Sequence, residues 1–247
     1  MTRHCLSASN GPSGLRRWRP STLEIPDTVG DEPLIYDITP PITASLAVWP
    51  GDTPPSREVL CDLERGDSVT LSTLRATVHL GAHADAPSHY GLEGPAIDER
   101  ALEYYCGPGQ VMRVNVARHG RVSLGDLVGE IQAPRVLLVT GTFPDPTVFN
   151  EDFAALSPEL VDALHDRGVV LVGIDTPSVD LFSSRDLPAH GRFLLHDMAV
   201  LEGLSLGHVP DGIYELIALP LRLVGFDASP VRAILRTFDD SAGSATI

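Results

Sequence analysis

Val136-Leu137-Leu138-Val139, then Ser157-Pro158-Glu159-Leu160-Val161-Asp162-Ala163-Leu164-His165-Asp166-Arg167-Gly168, then Val169-Val170-Leu171-Val172: these three stretches decide the fold class. The first and last are apolar throughout, the pattern of strands covered on both faces. Between them Ser157 can cap a helix, Pro158 suits its first turn, Leu160, Val161 and Leu164 form an apolar stripe, and Gly168 can end it. Strand, helix and strand in that order predict an α/β fold.

Outward from this unit, Leu34-Ile35-Tyr36-Asp37-Ile38 reads as a strand stopped by Pro40-Pro41. Trp49-Pro50-Gly51-Asp52-Thr53-Pro54-Pro55 reads as a rigid, turn-rich loop that holds an aromatic ring outward. Alternation at Val69 and Leu71, and again at Met112, Val114 and Val116, predicts half-buried strands. Tyr214 to Val224 is interrupted by Pro220 and reads as two short strands or one bent strand. Residues 1–33 mix Ser, Gly, Pro and Arg without periodicity and read as a flexible extension. One domain is expected over residues 34–240, followed by a tail at 241–247.

Eighteen basic against 33 acidic residues leave a net charge of −15, which repels phosphate backbones and argues against a nucleic-acid partner. Every one of those basic residues is Arg. Without Lys, Schiff-base chemistry, pyridoxal phosphate attachment and a Walker-type phosphate loop are excluded. Cys5, Cys61 and Cys106 are odd in number and form no C-x-x-C, so neither a disulfide framework nor a thiolate zinc knuckle is expected. Cys61 and Cys106 read as small buried side chains. No apolar run is long enough to span a bilayer and the first twenty residues hold no apolar leader core, so the expectation is a cytoplasmic protein away from membranes.

The chemistry concentrates in His79-Leu80-Gly81-Ala82-His83-Ala84-Asp85-Ala86-Pro87-Ser88-His89. Nine histidines in 247 residues give about 0.4 per window of eleven, and this window holds three with a carboxylate among them. All four side chains stand at odd positions, which a strand would turn to one face. In a fully extended strand His79 and His83 would be about 13 Å apart at ~3.3 Å per residue, too far to share an ion. The backbone must therefore turn in, and a strand ending near His79 followed by a compact loop is predicted, with Gly81 as the permissive corner. Short Ala82, Ala84 and Ala86 would leave room for converging ligands. Imidazole with carboxylate suits zinc, iron or manganese. A mononuclear 2-His-1-carboxylate iron oxygenase also begins with His-x-Asp, but the surplus of His79 and His89 favours a second ion or a histidine free for proton transfer. His190, His196 and Glu202 are candidate further ligands, among which local sequence does not choose. Asp175 and Asp180, after an apolar run, read as turn-forming carboxylates.

The spacing His79-x-Gly81-x-His83-x-Asp85-x-Pro87-x-His89 resembles the signature of the cyclase family of metal-dependent hydrolases, and is most similar to the arylformamidases within it. Supporting segments are Trp49 to Pro54, Asp175 to Asp180, Leu201 to Leu204 and Asp227 to Arg232, and the likeness runs from about Leu34 to Arg236. Gly141-Thr142-Phe143-Pro144-Asp145-Pro146 fits it only loosely. The resemblance implies a swivelling β/β/α-like fold with a mixed β-sheet core, and a homodimer. It implies two Zn²⁺ per subunit, or Mn²⁺, held by His79, His83, Asp85, His190 and Glu202, with Asp85 bridging. It gives His89 the role of acid/base and Trp49 a place on the substrate pocket, with His196 as the substitute ligand should His190 not serve. The implied reaction is hydrolysis of an aromatic formamide from tryptophan breakdown. Rival readings are hydrolysis of a cyclic amide or lactone such as isatin, the iron oxygenase, and a metal-binding protein without turnover.

Overall fold

The segment opening at Ser157 is helical for the reasons its sequence supplies. The Ser157 side chain accepts from the Leu160 amide, Pro158 occupies the first turn, and Leu160, Val161 and Leu164 are buried. Such a cap is worth about 1 kcal/mol. Gly168 closes the turn beyond it at φ +81°, a left-handed conformation that glycine adopts without a steric cost.

The computed structural model describes residues 33–238; apart from Pro33, the expected extension at 1–33 and the tail at 241–247 lie outside the described residues. In chain order the strands are β1 (Ile35–Asp37), β2 (Ser56–Cys61), β3 (Leu71–Arg75), β4 (His83–Asp85), β5 (Cys106–Arg113), β6 (Arg121–Val122) and β7 (Arg135–Val139). They continue as β8 (Ala155–Leu156), β9 (Leu171–Ile174), β10 (Ala199–Glu202), β11 (Gly212–Ile217), β12 (Ala228–Pro230) and β13 (Ile234–Arg236). The helices are α1 (Pro158–His165) and α2 (Pro188–His196).

Nine strands form one mixed sheet in the order β1-β13-β11-β5-β7-β9-β10-β4-β12. Its centre, β5-β7-β9-β10, is parallel, and antiparallel strands extend it on both sides. This is the α/β architecture with a mixed-sheet core that the sequence predicted. The apolar runs are covered on both faces because alternate residues enter different cores. Val136, Leu138, Val172, Ile174 and Val200 pack with Leu160, Leu164 and Phe193 of the helices. Leu137, Val139, Leu171 and Leu201 pack on the other face with Ala82, Ala84, Ala86 and Leu235.

Several local expectations are corrected. Every residue of β3 is exposed, since the β2–β3 hairpin is a separate two-stranded sheet. The strand expected around Met112 to Val116 lies earlier, as β5, and is buried without alternation from Gln110 to Met112. The Tyr214–Val224 stretch supplies one strand that ends at Ile217, ahead of Pro220. Cys106 is exposed. Among the described residues no helix is long and apolar enough to cross a membrane.

Candidate metal centre and its cavity

His83 and Asp85 lie on a strand, not on the loop the sequence suggested. β4 pairs with β10 so that Glu202 is opposite His83 and Val200 opposite Asp85. The period of two sends His83, Asp85 and Glu202 to the helix-covered face. It sends Ala82, Ala84 and Ala86 into the opposite core, so the alanines fill that core and do not make room for ligands. The chain turns in before β4, as the spacing required: Gly81 has φ +56°, and the His79 and His83 ring centroids are 5.1 Å apart. Gly203, just past Glu202, crosses so close that an added Cβ would lie 2.2 Å from the Gly81 carbonyl oxygen. Only glycine permits this approach of β10 to the turn before β4.

α2 delivers His190 from its first turn, and five side chains from distant segments converge. His79 Nδ1 lies 3.0 Å and His83 Nε2 3.4 Å from Asp85 Oδ1. His190 Nε2 lies 3.5 Å from both Asp85 Oδ2 and Glu202 Oε1. Glu202 Oε2 is 3.4 Å from His83 Nε2. Two groups that could hold a metal ion result, His79/His83/Asp85 and Asp85/His190/Glu202, with Asp85 common to both.

Each of the three imidazoles has its other nitrogen engaged elsewhere. His83 Nδ1 donates to the Gly81 carbonyl at 2.8 Å, His190 Nδ1 lies 2.9 Å from Asp180 Oδ2, and His79 Nε2 lies 3.0 Å from Asp227 Oδ2. The nitrogens facing the centre are thus the ones that can act as lone-pair donors once an ion displaces their protons. His83 Nε2 and both Asp85 oxygens are buried and make no hydrogen bond. Buried polar atoms without partners are costly, and here they converge with donor chemistry suited to a divalent ion. The residues fit a metal.

Electrostatics points the same way. Burial opposes charge on His83, yet the adjacent Asp85 and Glu202 carboxylates prevail and raise its pKa to about 10. His190 is raised well above its ordinary value against the same burial, by Asp180, Asp85 and Glu202. Burial would push Asp85 upward, but His190, His79 and His83 hold it well below the usual carboxylate range. The metal-free imidazoles therefore keep protons at neutral pH that an ion must displace. Zinc loading at pH 7 is expected to release protons, and affinity to fall as pH drops. Calorimetry in buffers of different ionisation enthalpy measures this, and identical heats in all of them would show the imidazoles already neutral.

His89 ends a short 3-10 turn opened by Pro87. Its ring is 4.2 Å from that of His79, and its Nδ1 lies 3.5 Å from Asp227 Oδ2. The centre opens into a cavity of about 840 Å³ lined by His79, His83, His89, Trp49, Phe143 and Leu206 among others. The Trp49 ring rests against Phe149, Phe153 and Phe182 at centroid distances of 5.5, 6.2 and 5.0 Å. The loosely fitting stretch Gly141–Pro146 also borders the cavity, through Gly141, Phe143, Pro144 and Pro146.

His196 takes no part: its Nε2 is 2.6 Å from Asp162 and its ring stacks on His165. Asp175 forms no local turn with these contacts; it accepts from the Thr140 and Gly141 amides, 35 and 34 residues away in the chain. Asp180 and Asp227 are the site residues that sequence reading missed. The sequence places Asp180 after an apolar strand, where loops often build sites, but favours a structural, hydrogen-bonding role for it, and Asp227 stands in a segment, Asp227 to Arg232, that carries only the family likeness.

The model of the Cyclase family ("Putative cyclase") matches residues 36–181, more than half of the chain, and the chain belongs to that family. Among solved structures, a potential metal-dependent hydrolase with cyclase activity is 27% identical, with a TM-score of 0.73 over 84% of this chain and 99% of that one. A predicted metal-dependent hydrolase from Bacillus stearothermophilus is 28% identical, with a TM-score of 0.71 over 84% of this chain and all of that one. Isatin hydrolase A from Ralstonia solanacearum shares the fold at 19% identity and a TM-score of 0.69, over 83% of this chain and 92% of that one.

Proposed function

We propose that the protein is a cytoplasmic metal-dependent amidohydrolase. It cleaves an aromatic formamide, N-formyl-L-kynurenine, to L-kynurenine and formate in tryptophan degradation. The carrying observation is the pair of triads sharing Asp85, whose buried atoms lack partners, at the floor of an aromatic-walled cavity. Family membership and the two metal-dependent hydrolases similar to the chain support the reaction class.

His79, His83 and Asp85 would hold one divalent ion and Asp85, His190 and Glu202 a second, zinc or manganese. When bound, such ions supply an activated water and positive charge for the carbonyl oxygen. Trp49 and Phe143 provide apolar walls against which the aryl ring is placed. As water adds to the formyl carbon and the C–N bond breaks, the leaving nitrogen needs a proton. His89 is placed to give it: its Nδ1 faces Asp227 and its Nε2 is left for the substrate. No side-chain nucleophile is required.

A homodimer belongs to this reading, supported by the β2–β3 hairpin, which leaves Leu63, Val69, Leu71 and Leu74 half or more exposed. A second substrate reading, a cyclic amide such as isatin, is favoured by one observation: the cavity is bordered by the stretch that fits the arylformamidase likeness least. The same fold also serves isatin hydrolases. A mononuclear iron oxygenase would leave His190 and Glu202 without use.

The deciding experiment loads the purified chain with zinc, counts ions per chain and measures formate release from N-formyl-L-kynurenine beside ring opening of isatin. Formate release that chelation abolishes and zinc or manganese restores is expected. Turnover of isatin alone would select the second reading, and turnover of neither would overturn the hydrolase assignment.

A further inference from the structure

We propose that Asp180 fixes the tautomer and direction of the His190 imidazole and thereby sets how many ions the centre holds; this rests on the two-ion reading above. The Asp180 side chain is fully buried, and its contacts are all specific. Oδ2 lies 2.9 Å from His190 Nδ1 and accepts the backbone amides of Ala189 and His190 at 3.1 Å each. Oδ1 accepts from Arg121 Nη1 at 2.9 Å and from the Ala189 amide at 3.2 Å. An ionised carboxylate can only accept, so a proton stays on His190 Nδ1, and Nε2 is the nitrogen that presents a lone pair once an ion displaces its proton. That Nε2 is the atom 3.5 Å from both Asp85 and Glu202.

Asp180 also fills a gap in the local structure. The residue preceding α2, Leu187, has φ +44° and no side-chain cap, so the Asp180 carboxylate, accepting the Ala189 and His190 amides, stands in for one. Helix start and imidazole are therefore registered by a single group. The other two imidazoles are anchored differently: His83 by a backbone carbonyl and His79 by Asp227, whose side chain is 49% exposed. Among the candidate ligands, His190 alone leans on a fully buried carboxylate with its own Arg partner. Burying that ion pair is expensive unless its geometry is used.

Asp180→Asn keeps the shape but cannot serve every donor. With its oxygen toward Arg121, its amide N–H faces His190 Nδ1 and moves the imidazole proton to Nε2, which then cannot ligate. Zinc titration calorimetry and elemental analysis should give two ions for the native chain. For Asp180→Asn the second step should be weakened about 10–100-fold, the usual cost of losing an outer partner of a metal ligand, with the first step unchanged. Asp162→Asn provides the structural control. Asp162 binds Arg192 and His196 on α2, so this variant loosens the helix without touching His190 and should still take two ions.

Equal loss in both variants, or two unweakened steps in Asp180→Asn, would overturn the proposal. A native chain that takes only one ion would overturn the two-ion reading and this inference with it. Should Asp180→Asn not fold, ¹⁵N correlation spectra of the zinc-loaded native chain decide: a proton on His190 Nδ1 supports the proposal, and a proton on Nε2 refutes it.

Discussion

Asp85→Asn should strip the protein of both ions and lower formamide turnover by about 10³-fold or more. Several kcal/mol of metal-derived charge stabilisation would be lost, and each 1.36 kcal/mol is a factor of ten. The expectation follows from position. Oδ1 faces His79 and His83, Oδ2 faces His190, and neither oxygen has a hydrogen-bond partner. Asn keeps one acceptor and turns a donor toward an imidazole whose lone pair should face the ion, so one triad loses its anion and the other meets an N–H. The neighbouring strand is left alone, because the backbone pairing of Asp85 with Val200 and Ala228 does not involve the side chain. A near-native melting profile of the metal-free variant would show that the fold is kept. Unchanged metal content would show that Asp85 is no ligand and would remove the centre on which the reaction depends.

What was legible in the sequence divides along local and distant causes. α1 and the apolar strands β7 and β9 were readable because caps, stripes and runs act within a few residues. The parity of His83 and Asp85 was equally visible, but their strand was not. β4 has three residues and exists through pairing with β10 and β12, more than a hundred residues away. The alternation at Val69 and Leu71 misleads for the converse reason: it is compatible with burial, but every residue of β3 is exposed and Val69 is 53% exposed. His190 and His196 looked interchangeable on the page. Six residues separate them, which is about 120° around a helix, so only one can face β4 and β10. Asp180 and Asp227 had no local signature, since their partners stand ten and 148 residues away.

His89→Ala should keep both ions and lose about 10²- to 10⁴-fold in kcat, the range for one acid/base group. The side chain is 35% exposed, so truncation opens no core cavity, and its loss should leave the metal titration as it was. The decisive refinement varies the leaving group. An unactivated aryl amine departs with difficulty unless protonated, whereas electron-withdrawing substituents make its anion a tolerable leaving group. Across a series of substituted formanilides, the deficit of His89→Ala should shrink as the amine becomes more acidic. A deficit constant across the series would place His89 in binding, not in proton delivery. Loss of an ion in the variant would instead make it a ligand, through the group it forms with His79 and Asp227. Proton transfer, substrate placement and metal binding thus leave three different signatures in one set of measurements.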